Sequence, residues 1–178
     1  MYAAAAQSFE KGIARQPREA SLWVSYAMMQ AETAGIEAAR AVFRRGTGAC
    51  PDSAPLWMEG GLLEARCGDV AEAREWLARA CLLSPVHLPA LAAWAGVEED
   101  LGSTAAARAL KALYVKIEGE LAKRPGGAMG RRRGGWKLRK ALERVARSVG
   151  GGWRLPESKG RGVEERGSEG GGEGPALS

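Results

Sequence analysis

The cationic side chains are the groups in this chain with the most chemistry to offer, and they fall into two sets. Arg40, Arg74 and Arg108 recur at intervals of 34 residues, a regular stripe that at first resembles a phosphate-contacting row. Arg131, Arg132, Arg133, Lys137, Arg139, Lys140, Arg144 and Arg147 crowd together near the C-terminus instead. Neutralising phosphates with such groups releases counterions and supplies affinity for nucleic acid. For catalysis the inventory is thin. The single histidine, His87, excludes His-dependent triads and multi-His metal centres within the chain. Cys50, Cys67 and Cys81 form no CxxC pair, so neither a disulfide framework nor a zinc site is encoded, and a reducing compartment is the natural setting. The glycine-rich stretches hold no GxxxxGK[ST] and follow no strand pattern, which leaves phosphate cradling unsupported. Glu98, Glu99 and Asp100 read as a charged helix end beside Gly102. The expectation is a non-catalytic protein with no metal, no cofactor and no small-molecule substrate.

Charge is unevenly spread. Residues 1–125 carry 14 Lys/Arg against 15 Asp/Glu, residues 126–154 nine against one, and residues 155–178 three against five. The whole excess behind the net charge of +5 therefore lies in one short segment. Of the 25 glycines, 15 follow Pro125, which predicts that the packed region ends near residue 124. No apolar run approaches the roughly 18 to 20 residues of a membrane span, and no secretory signal pattern opens the chain. The expectation is a chain without a membrane span.

Positioning falls to an internal repeat. Pro17, Pro51 and Pro85 are spaced by 34, as are Trp23, Trp57 and Leu91; Phe9, Phe43 and Leu77; and the pairs Ala39-Arg40, Ala73-Arg74 and Ala107-Arg108. Within each unit the apolar residues are three and four apart, the spacing of one helix face. Each unit thus reads as a helical hairpin, with Gly35, Gly68 and Gly102 at the internal turn, where a helix end adopts positive φ. Helices are predicted over 2–15, 20–34, 36–48, 54–67, 69–83, 87–101 and 103–123. A lone hairpin leaves its apolar face bare, so stacked neighbours, a solenoid, are the predicted all-α architecture of residues 1–124. The opening residues align with the second helix of a hairpin, which predicts either missing upstream sequence or a solo helix capping the array.

These residues carry a resemblance. Trp23, Tyr26, Gly35, Ala39, Arg40 and Phe43, followed by Trp57, Glu64, Gly68, Ala73 and Arg74, resemble tetratricopeptide-type (TPR) repeats and, more closely, their HAT (half-a-TPR) variant, which implies a role in RNA processing. The stretch from Ala93 to Lys116 is similar to the last repeat of chloroplast HAT factors that stabilise photosystem II messenger RNAs, which implies a chloroplast location; other HAT proteins imply the nucleus. Gly60 stands where the pattern has an aromatic residue, Gln30 where it has glutamate, and Leu91 where it has tryptophan.

Counting from the hairpin turns places Glu64 level with Arg74, and Glu98 level with Arg108, so ion pairs inside each hairpin are expected. Arg44, Arg45, Arg79 and Lys111 are then the array's candidates for contacts to RNA phosphates. Trp23, Trp57, Trp76 and Trp94 could stack on bases, but tryptophan in the repeat column is normally core. Cys67 and Cys81 read as small core residues, and His87 as a solvated loop residue. Behind the array, Trp136, Leu138, Leu142, Val145 and Val149 form the stripe of a basic amphipathic helix within segment 125–154. That stripe could dock on the array, and the helix could also bind RNA, meet an acidic partner or lie on a membrane surface. Residues 155–178, rich in Gly, Glu and Ser, are expected to be disordered. The leading functional expectation is an RNA-processing or mRNA-stabilising protein that binds single-stranded RNA, and the alternative is a protein–protein scaffold.

Overall fold

A computed structural model of the chain describes residues 2–84, 87–123, 139–145 and 147–148. These residues are all-α: α1 (Tyr2–Arg15), α2 (Ala20–Thr33), α3 (Ile36–Ala49), α4 (Ala54–Arg66), α5 (Val70–Leu83), α6 (Leu88–Asp100) and α7 (Thr104–Ala122), followed by a short helical stretch over 139–145. Each predicted span agrees to within one residue at either end. The expected disordered tail, 155–178, lies outside the described residues.

Local chemistry explains the boundaries. Ser53 accepts a hydrogen bond from the Leu56 amide at the start of α4, and Asp69 one from the Glu72 amide at the start of α5, each satisfying an amide that has no partner inside its own helix. Pro55 and Pro89 occupy first-turn positions, where a missing N–H costs nothing. Gly35, Gly68 and Gly102 take φ of 93°, 83° and 72°. Gly68 and Gly102 follow the C-caps of α4 and α6, whereas Gly35 is the N-cap of α3, one residue later in the repeat.

The tightest neighbours are α2 with α3, α4 with α5, and α6 with α7. Between these hairpins, α4 touches both α2 and α3, α6 touches both α4 and α5, and α1 lies on α2. Two apolar clusters result, one around Trp23, Tyr26, Phe43, Leu56 and Trp76 and one around Leu77, Leu91, Trp94 and Leu110, with Trp57 packed against both. Leu142 and Val145 are buried in the second cluster. These two residues of the predicted apolar stripe therefore pack in the body of the protein.

The departure at Gly60 has a packing reason. A Cβ there would lie 2.2 Å from the Trp76 ring, so Trp76 on α5 occupies the volume that an aromatic side chain on α4 would need. One unit earlier the same two positions hold Tyr26 and Val42, and one unit later Trp94 and Leu110, all buried. Large and small residues exchange sides of the hairpin, which conserves volume at the contact.

Candidate nucleic-acid interface

Two of the three repeating arginines, Arg40 and Arg74, are committed to the structure, but not as counting from the turns predicts. Arg40 on α3 donates from Nε to Glu64 Oε2 at 2.9 Å and from Nη2 to the same oxygen at 2.6 Å. Arg74 on α5 donates from Nε and Nη2 to Glu98 Oε1 and Oε2, both at 2.8 Å. Each pair joins one hairpin to the next across 24 residues, so the expected pairs Arg74–Glu64 and Arg108–Glu98 are not formed. Being level along a hairpin does not put two side chains on the same side of it: Glu64 turns back toward α3, and Glu98 toward α5.

Glu98 is fully buried and also accepts from Trp94 Nε1 at 2.9 Å. Burial pushes its pKa up, but hydrogen bonds from Arg74, Trp94 and Ser103 outweigh that and hold the carboxyl below its ordinary value. Glu98, Glu99 and Asp100 do end α6, but Glu98 is buried and ion-paired while Asp100 is exposed. In the first hairpin Gln30 replaces the glutamate, and its amide donates to the Tyr26 hydroxyl at 3.0 Å.

A second column runs along the same helices. Arg45 binds Glu10 of α1 through two hydrogen bonds, 2.8 and 2.9 Å, and its guanidinium lies 5.3 Å from the Trp23 ring centroid. Arg79 lies 5.1 Å from the Trp57 ring centroid. Its Nε is buried and has no hydrogen-bond partner among the described residues. Lys111 pairs with Glu99 at 2.5 Å in an exposed bridge. Arg44 is exposed. Of the four array candidates, Arg45 and Lys111 are thus already neutralised by carboxylates.

Within the basic helix, Arg139 bridges Glu143 at 3.4 Å, and Arg147 Nε donates to the Glu143 carbonyl at 3.3 Å. Lys140, Arg144 and Arg147 are exposed on the side away from Leu142 and Val145. Arg131, Arg132, Arg133 and Lys137 lie outside the described residues, as do Trp136, Leu138 and Val149.

The four tryptophans among the described residues pack in or against the core. Trp23, Trp76 and Trp94 are buried, which removes them as platforms for bases, and Trp57 is half-buried, with its indole donating to the Pro51 carbonyl at 3.0 Å. Cys81 is buried as expected, with its thiol pushed up to about 12 by burial. Cys67, expected in the core, is exposed at the α4–α5 turn. His87, expected to be solvated, is the half-buried N-cap residue of α6, with its Nε2 buried and unpartnered among the described residues.

Composition does not reveal the groove that α2, α4, the start of α5 and α6 build together. A cleft of about 310 Å³ is lined by Met28, Leu62, Ala65, Val70, Val97 and Leu101, with Glu59, Arg66 and Asp100 among its polar walls. Among the described residues no helix is long and apolar enough to cross a membrane. No family model and no curated protein matches the chain.

Proposed function

We propose that this chain is a non-catalytic helical-repeat module of the HAT/TPR type, a solenoid of stacked hairpins that binds single-stranded RNA in RNA processing or messenger stabilisation. The observation that carries this reading is the docked basic helix. Burial of Leu142 and Val145 holds it in the second apolar cluster, and the exposed Arg144 and Arg147 are thereby presented from a fixed position. Cations on a rigid surface lose less side-chain and segmental entropy on meeting phosphate than cations on a free tail. The recurring Arg–Glu pairs support the solenoid, since one inter-hairpin bond repeats at one separation. A chloroplast location is proposed from the resemblance of residues 93–116 to chloroplast HAT factors, with the nucleus as the alternative.

Anisotropy titrations of a labelled single-stranded RNA at several salt concentrations test the reading. The doubly substituted Arg144→Ala/Arg147→Ala protein should bind more weakly, with a salt slope shallower by about 0.7 for each phosphate that is no longer neutralised. Absence of binding by the unmodified chain at low salt would refute it.

The groove favours a second reading, a protein–protein scaffold. Its apolar lining and two carboxylates against one guanidinium suit a peptide with an apolar anchor better than they suit a polyanion.

A further inference from the structure

Glu10, Arg45 and Trp23 form a complete unit: a carboxylate grips a guanidinium that stacks on an indole. Advancing each residue by the repeat of 34 gives Arg44, Arg79 and Trp57. The stacking survives, with Arg79 at 5.1 Å from the Trp57 centroid. The anion does not, because the position of Glu10 is taken by the cation Arg44. Arg79 Nε is left buried with no acceptor among the described residues, although buried N–H groups are almost always paired. By register the repeat therefore assigns two guanidinium groups to the positions where its first copy holds one cation and one anion. What would complete this unit is an anion with several acceptor oxygens.

We infer that Arg79, above the face of Trp57, and Arg44, in the register position of Glu10, form a phosphate site that takes one backbone phosphate of single-stranded RNA. This rests on the RNA-binding reading and adds to it a defined site on the array, remote in sequence from the basic helix. Two guanidinium forks present more N–H donors than a single carboxylate can accept, and the tetrahedral phosphate, with its charge shared over oxygens, fits such a bridge. Stacking on Trp57 holds Arg79 in place before the ligand arrives.

Two measurements on the full chain test the site, using Arg44→Glu, which reinstates the carboxylate of the first unit, and Arg44→Gln, which only removes the charge. In thermal melts without added anion, Arg44→Glu should melt above the unmodified protein. Pyrophosphate should then raise the midpoint of the unmodified protein more than that of Arg44→Glu. In anisotropy titrations both variants should bind single-stranded RNA several-fold more weakly, with the salt slope reduced by about 0.7. Equal pyrophosphate shifts together with an unchanged slope would overturn the site while RNA binding through the basic helix stood. Discrimination of pyrophosphate by a protein that binds no RNA would overturn RNA as the occupant, and the RNA reading with it.

Discussion

Arg74 of one hairpin and Glu98 of the next are joined by two parallel hydrogen bonds of 2.8 Å, with the carboxylate fully buried and the guanidinium largely so. Arg40 and Glu64 repeat the pairing one unit earlier. The pairs fasten consecutive hairpins to each other, and Trp94 holds the Glu98 carboxylate from its own helix. One consequence is that Arg40 and Arg74 are spoken for and offer little to an external phosphate. Arg108, the third of the series, is exposed.

Removing one member of the Arg74–Glu98 pair should therefore cost more than removing both. Arg74→Met leaves a buried carboxylate without its cation, and the expected loss is about 3 to 5 kcal/mol. The double variant Arg74→Met/Glu98→Leu should lose clearly less than the sum of the single changes. A denaturant-based double-mutant cycle measures the coupling, and additive single effects would contradict the pairing.

The same carboxylate makes a prediction about pH. Its folded-state pKa lies below its unfolded value, so between the two the unfolded chain binds more protons and stability rises with pH. The contribution is fully present above the ordinary carboxylate value of about 4.3 and is lost as pH falls through the lower folded value. Melting midpoints of the unmodified protein and Glu98→Gln, followed from pH 7 to pH 3, should converge below about pH 4. A constant gap across that range would mean that the pairing does not depend on the carboxylate charge.

Thiol reactivity should separate the three cysteines. Cys67 is exposed. Cys50 and Cys81 are buried and have raised pKa values, Cys81 to about 12, and a thiol must ionise to react. Titration of the native protein with a disulfide reagent should modify Cys67 rapidly, and the other two should follow only in denaturant. Rapid modification of all three in the native state would show that the helix packing around Cys81 opens readily.

The exchange of volume between Gly60 and Trp76 predicts a specific rescue. Gly60→Tyr alone would drive a ring into Trp76, and overpacking of this kind typically costs about 1 to 3 kcal/mol or more. Adding Trp76→Val recreates the Tyr26–Val42 combination of the preceding unit and should recover much of the loss. Chemical denaturation of the single and double variants gives the comparison. A double variant no better than Gly60→Tyr would mean that the two units pack differently.

Docking of the basic helix predicts that Leu142→Asp lowers the melting midpoint of the whole chain, since a charge would enter the cluster holding Leu77, Trp94 and Leu110. Circular dichroism melts decide this. An unchanged midpoint would show that residues 139–148 contribute nothing to the stability of the hairpins.

Helix positions and hairpin turns along the 34-residue repeat were legible in residue order, because apolar spacing, capping residues and glycines at positive φ act over a few neighbouring residues. The fate of the charges was not. Glu64 stands equally well placed for Arg74 by counting and for Arg40 by geometry, and only the way α4 nests against α3 selects the second. The recurrence of Arg and Glu 24 residues apart was the available signal, and it becomes meaningful only once hairpins are known to stack. Trp57 and Trp23 hold the same repeat column yet differ in burial, and Cys67 proves exposed where composition favours a core, because burial depends on neighbours distant in sequence. For the same reason the amphipathic stripe of the basic helix left docking, RNA and other partners open; the burial of Leu142 and Val145 in the cluster around Trp94 and Leu110 decides it for those two residues, since an apolar stripe specifies that it must be covered and never by what.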